Sequence, residues 1–131
     1  MCKKALIVDD LPFDAELTQL VLQGCADRFE TIVVSDGEEA LRELNRGCDF
    51  DLILLDLKLP KVDGFEVLKT ISSKPFLSDV PVIVMSSTRD QSDRVRARAM
   101  GAREFVEKCI DYAAFKAELT RALDQNGFYG A

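Results

Sequence analysis

The chain has 131 residues, enough for one domain with a real core and short for two. Its 47% apolar and 31% charged residues are those of an ordinary folded protein, and a net charge of -6 argues against a dedicated nucleic-acid surface, which needs clustered Lys and Arg. With no histidine, neither a Ser-His-Asp nor a Cys-His nucleophilic system can be built, so acid–base or nucleophilic work falls to carboxylates, lysines, hydroxyls or thiols.

The start, Met1-Cys2-Lys3-Lys4, runs into Ala5–Val8, an apolar stretch too short for a signal-peptide core or a membrane span, so membrane insertion is not expected. Cys2, Cys25, Cys48 and Cys109 form no C-x-x-C pair, and zinc is not expected without histidine. They read as reduced thiols of a cytoplasmic protein, with Cys25 and Cys48 partly buried.

Ala5–Val8 predicts a first strand, ending in Asp9-Asp10. A helix over Phe13–Cys25 follows, with Leu17, Leu20, Val21 and Leu22 on one side and Pro12 at its start. Thr31–Val34 predicts a second strand, and Glu38–Arg46 a helix carrying Ala40, Leu41 and Leu44. The third strand, Leu52–Leu55, ends in Asp56; the next helix, Phe65–Ser73, carries Phe65, Val67, Leu68 and Ile71, with Pro60 and Asp63-Gly64 shaping the loop before it. The fourth strand, Val82–Met85, ends in Ser86-Ser87-Thr88 and leads to a helix over Ser92–Met100 with Val95, Ala99 and Met100 inward. The fifth, Phe105–Val106, ends in Glu107-Lys108 before a helix over Ala113–Leu123 with Phe115, Leu119, Ala122 and Leu123 inward. Gly24, Gly47 and Gly101 sit near helix ends, where a positive φ is often needed. The tail from about Asn126 looks loosely held.

Strands and helices alternating five times predict an α/β fold in one domain, 1–131: a five-stranded parallel sheet with five helices on both faces. Ligands of such sheets bind outside the carboxyl ends of the strands. Asp9, Asp10, Asp56, the hydroxyls from Ser86 and Lys108 should therefore meet at one edge. Unit charges ~4 Å apart repel by roughly 4 kcal/mol at an effective dielectric near 20, so three carboxylates call for a counter-charge. Oxygen-only ligands suit Mg2+. Three carboxylates and Lys108 sum to about -2, which one Mg2+ brings near neutral. A carboxylate beside such a cation is a competent nucleophile toward phosphorus.

These segments resemble the response-regulator receiver family. The matching pieces are Leu6-Ile7-Val8-Asp9-Asp10, Leu52 to Gly64, Val80 to Ser87 and Gly101 to Lys108, in order and each at a strand end. The resemblance runs from Lys4 to about Leu123 and implies a flavodoxin-like sheet of order 2-1-3-4-5. It implies Asp56 as phosphoacceptor and Mg2+ held by Asp9, Asp10, Asp56 and the Lys58 backbone carbonyl. It implies Ser86 as a switch hydroxyl, Lys108 as the phosphate-binding lysine, and Phe105 as an aromatic that swings inward when Ser86 moves. A sensor histidine kinase would donate the phosphoryl group. A downstream protein would bind the face of the fourth helix, fifth strand and fifth helix, of a chain that is a monomer or weak homodimer. The chain would catalyse only its own phosphorylation and slow dephosphorylation. With no output domain in view, a single-domain regulator is expected; the alternatives are a relay intermediate serving a histidine phosphotransfer protein and a receiver-like module that is never phosphorylated.

The family usually has Pro after the lysine, where this chain has Cys109; a cis bond before a non-proline costs ~2.5–4 kcal/mol, so Lys108-Cys109 is expected to be trans. Lys58 should face the pocket mouth. Plainer readings stand beside these: Asp9-Asp10 as a helix N-cap pair, Asp56 as a turn residue, Ser86-Ser87-Thr88 as caps of the fourth helix, Lys108 as a surface lysine and Phe105 as a fixed core aromatic. Arg89, Arg94, Arg96, Arg98 and Arg103 read as a solvated basic face or a docking surface. A haloacid-dehalogenase-type phosphatase wants Asp where Lys58 stands. A flavodoxin-like nucleotide binder wants a Gly/Ser/Thr cradle where Asp9–Asp14 stands.

Overall fold

The computed structural model of the chain describes residues 2–25, 28–46, 50–59, 61–77, 79–87, 90–108 and 111–128. Gly47, Cys48, Pro60, Thr88, Arg89 and Cys109 lie outside them, and with Cys109 the expectation for the Lys108-Cys109 bond. Five strands, β1 (Cys2–Val8), β2 (Arg28–Val34), β3 (Leu52–Asp56), β4 (Val82–Ser86) and β5 (Glu104–Glu107), form one parallel sheet of order β2-β1-β3-β4-β5. Between and after them run α1 (Pro12–Gln23), α2 (Gly37–Asn45), α3 (Gly64–Ser73), α4 (Gln91–Ala99) and α5 (Tyr112–Gln125), with a 3-10 turn at Pro75–Leu77.

The central strands are continuous apolar runs because both faces are covered. Alternate residues divide between two cores. Leu6, Val8, Ile53, Leu55, Val84 and Phe105 pack with Ala40 and Leu44 of α2, Val67, Leu68 and Ile71 of α3, and Ala97 of α4. Ala5, Ile7, Leu54, Met85 and Val106 pack with Ala15, Val21 and Leu22 of α1 and Phe115, Leu119 and Leu123 of α5. None of the described helices is long and apolar enough to cross a membrane.

Several elements depart from the sequence reading for identifiable reasons. β1 and β2 extend beyond Ala5–Val8 and Thr31–Val34, since they pair through seven residues at the sheet edge, where Lys3, Arg28 and Glu30 can reach solvent. Asp36, Asp63, Asp90 and Asp111 cap α2, α3, α4 and α5, each side chain accepting a backbone N–H. The cap of α4 is therefore Asp90, not the hydroxyl run. Leu20 and Val95 are exposed, because α1 and α4 each bury only part of an apolar stripe; the single buried residue of α4 is Ala97, while Ala99 is exposed. Gly101 has φ 107°, but Gly24 closes α1 in ordinary helical geometry. Tail residue Phe128 is buried, with its ring centroid 5.6 Å from that of Phe29.

The loop between β3 and α3 is tightly held. A Cβ on Gly64 would lie 2.5 Å from the Asp56 carbonyl oxygen and the Leu57 Cα, and one on Gly37 2.1 Å from the Val62 carbonyl oxygen. The loop turns through Lys61 at φ 67°, a left-handed conformation unusual for a side-chain-bearing residue. Lys61 Nζ lies 3.6 Å from Asp36, the cap of α2.

Candidate functional site

Strand order reverses between β1 and β3, opening a crevice at their carboxyl ends. Asp9 follows β1 directly, and its N–H donates to the Val34 carbonyl (3.0 Å), extending the β1–β2 ladder by one bond. Its Oδ1 accepts from Leu11 N–H (3.0 Å). Neither Asp9 nor Asp10 caps α1: the residue before Pro12 is Leu11, which makes no side-chain cap. Asp56 is the last residue of β3, 5% exposed, and its Oδ1 accepts from Lys58 N–H (3.0 Å). One carboxylate oxygen from each of Asp9, Asp10 and Asp56 lies within 4.8 Å of the others. This is an oxygen-only donor set at a spacing that fits a hard divalent cation.

Lys108 reaches into this cluster from the end of β5, where its N–H donates to the Ser86 carbonyl (2.8 Å). Its Nζ donates to Asp9 Oδ2 (2.8 Å), Asp56 Oδ2 (2.9 Å) and Asp14 Oδ2 (3.1 Å). It is no surface lysine. Burial works against its charge, but the Asp9 and Asp56 carboxylates outweigh that and hold the amine above the ordinary lysine range. Asp9 is pushed up, chiefly by its own burial, because Lys108 offsets that only in part while shared among three acids.

Asp14 is the site residue that strand-end reasoning missed. It projects from the first turn of α1 toward an amine 94 positions away. The local signal for it is its place in the first turn of α1, three residues past Leu11. It also changes the charge balance: four carboxylates and one ammonium leave three negative charges, and a divalent cation leaves one rather than none.

The open side is a cleft of about 430 Å³, lined among others by Asp10, Leu11, Asp14, Lys58, Ser87 and Phe115. Lys58 thus stands at the mouth, as expected. Ser86 ends β4 fully buried, whereas Ser87 is, among the described residues, the hydroxyl that lines the cleft. Phe105 is already inward, 2% exposed, with the Arg94 guanidinium 4.7 Å from its ring centroid; Arg96 lies 4.0 Å from that of Phe65. Part of the basic run on α4 is therefore stacked on aromatic rings rather than freely solvated.

The chain that carries this acid cluster and lysine, at the switch point of a 2-1-3-4-5 sheet, is similar to known proteins in sequence and in fold. The response regulator receiver domain family matches residues 5–120. The rice (Oryza sativa subsp. japonica) two-component response regulator ORR1 is 35% identical over 112 residues, 80% of this chain and 48% of that protein. The chain spans about half the length of this and other curated relatives it matches. The phosphorylated cyanobacterial phytochrome response regulator RcpA superposes with a TM-score of 0.87 at 30% identity, covering 97% of this chain and 96% of that one. The Mn2+-bound form of response regulator Rcp1 superposes with a TM-score of 0.84 at 29% identity, covering 98% and 96%. Sequence and topology thus agree, and the chain belongs to the response regulator receiver domain family, the signalling domains of two-component systems.

Proposed function

We propose that this chain is a phosphorylation-driven switch in which Asp56 accepts a phosphoryl group from a sensor histidine kinase. The observation that carries this is the three-acid cluster with Lys108 Nζ 2.9 Å from Asp56. A carboxylate oxygen of Asp56 forms a bond to phosphorus as the donor's N–P bond breaks, and the departing imidazole keeps the electron pair and takes up a proton. Asp9, Asp10 and Asp56, with the Lys58 backbone carbonyl, would hold Mg2+, which when bound neutralises charge on the phosphoryl oxygens. Lys108 keeps the acids close before transfer and meets the new negative charge afterwards.

The added group brings about -1.5 to -2 charges and three strong acceptors. Ser86, at the end of β4, is the switch hydroxyl, and Phe105 on β5 carries its displacement to the outer face. That face, α4, β5 and α5, binds the downstream protein in a phosphorylation-dependent way. The chain signals and turns over no separate metabolite. The reading is tested with a small phosphodonor, with and without Mg2+, followed by intact-mass measurement of the native chain and Asp56→Asn. A metal-dependent gain of one phosphoryl group, lost in Asp56→Asn, is expected. Retention of the adduct in that variant would move the acceptor elsewhere.

A further inference from the structure

A lysine ammonium has three N–H donors. Lys108 spends them on Asp9, Asp56 and Asp14, at 2.8, 2.9 and 3.1 Å. A phosphoryl group on Asp56 presents oxygens to an amine that is fully engaged, so one existing contact must open. The three partners are unequal: the side chains of Asp9 and Asp56 are 0% and 7% exposed, that of Asp14 30%. In the metal-free site, releasing Asp9 would strand a buried carboxylate, and Asp56 is the acceptor itself. Asp14 makes the longest contact and can return to water, so it is the partner that yields.

We propose that Asp14 is a positioning residue that holds Lys108 in the unphosphorylated site, is displaced by the phosphoryl group, and thereby limits how readily Asp56 is phosphorylated. This rests on the reading of Asp56 as phosphoacceptor. Asp14 acts in two ways of the same sign. It competes for the donor that the phosphoryl group needs, and its charge opposes an anionic phosphodonor in a cleft that already keeps a net negative charge with a divalent cation in place. It takes no proton and forms no bond to phosphorus: with acetyl phosphate, the Asp56 oxygen bonds to phosphorus and acetate leaves with the electron pair.

The test uses the full chain with acetyl phosphate and Mg2+, comparing wild type, Asp14→Asn, Asp14→Ala and Asp14→Glu by intact mass. Thermal melts establish that each variant is folded. Asp14→Asn and Asp14→Ala are expected to reach half-maximal phosphorylation at an acetyl phosphate concentration about fivefold lower, the scale of one partly screened, charge-assisted hydrogen bond. Asp14→Glu keeps the charge and restores the wild-type value. A second readout needs no phosphodonor: in 15N NMR, proton exchange of the Lys108 ammonium should be several-fold faster in Asp14→Asn than in wild type or Asp14→Glu. A phosphorylated wild type matched by Asp14→Asn and Asp14→Ala, or unchanged ammonium exchange, overturns the role of Asp14 alone. A wild type that gains no phosphoryl group overturns the Asp56 assignment and this inference with it.

Discussion

Lys108→Met removes the counter-charge of the site while keeping most of the aliphatic stem. Removing one partner of a buried ion pair costs about 3–5 kcal/mol. Of the three acids that Lys108 holds, Asp14 can rehydrate, which leaves Asp9 and Asp56 as the buried charges without a counter-charge. The lower end of the range therefore applies, about 3 kcal/mol, or a fall in Tm of roughly 10 °C for a domain of this size. The assay is thermal unfolding at neutral pH in chelator, then with millimolar Mg2+. The cation replaces the missing charge, so the variant regains more than wild type does; a single site filled at ~10 times Kd contributes about 1.4 kcal/mol. The pH dependence follows from the two shifts. Lys108 is held above its ordinary value of 10.5, so its contribution is fully present at neutral pH and fades only as pH rises through the folded value. Asp9 is raised above 3.8, mainly by burial, so the native state keeps a proton that the unfolded state has lost, and stability falls as pH rises across that window. Without Lys108 to lower it, Asp9 titrates higher still, and mild acidification should recover part of the variant's loss. An unchanged Tm in chelator, or a loss that deepens on acidification, would refute this electrostatic account.

Other perturbations test the frame around the site. Gly64→Ala sets a Cβ against the Leu57 backbone and should cost about 1–3 kcal/mol by urea unfolding, with a lower rate of Asp56 phosphorylation. Arg94→Met removes the cation from the Phe105 face and should cost about 0.5–1 kcal/mol in the same assay, with Arg94→Lys intermediate. Phe128→Ala opens the contact with Phe29 beneath α1 and α5 and should cost about 3 kcal/mol; a loss below ~0.5 kcal/mol would mean that the tail is not part of the core.

Much of the site was legible because strand ends announce themselves: a short Val/Ile/Leu run followed by Asp9-Asp10, Asp56 or Lys108 needs only the parallel-sheet rule to bring those residues together. Asp14 was not legible, since its role depends on where a lysine from another strand points. The exposure of Leu20, Val95 and Ala99 on α1 and α4 is not legible in the pattern, because an apolar stripe on a surface helix does not say how much of it the sheet covers. Phe128 was hidden by Gly127 and its polar neighbours, which read as a loose end. Its burial depends on Phe29, at the far edge of the sheet.

The glycine-pinned loop beyond Asp56 gives the domain a lopsided compliance. On the side of α2 and α3, Gly37 and Gly64 leave no room between backbones, and Lys61 ties that wall to Asp36. Farther along the same face, α4 is held more lightly: Ala97 is its one buried side chain, Arg94 lies over the Phe105 ring of β5, and Arg96 over the Phe65 ring of α3. A group added at Asp56 therefore has closely fitted backbones beside it toward α2 and α3 and a sparser contact toward α4.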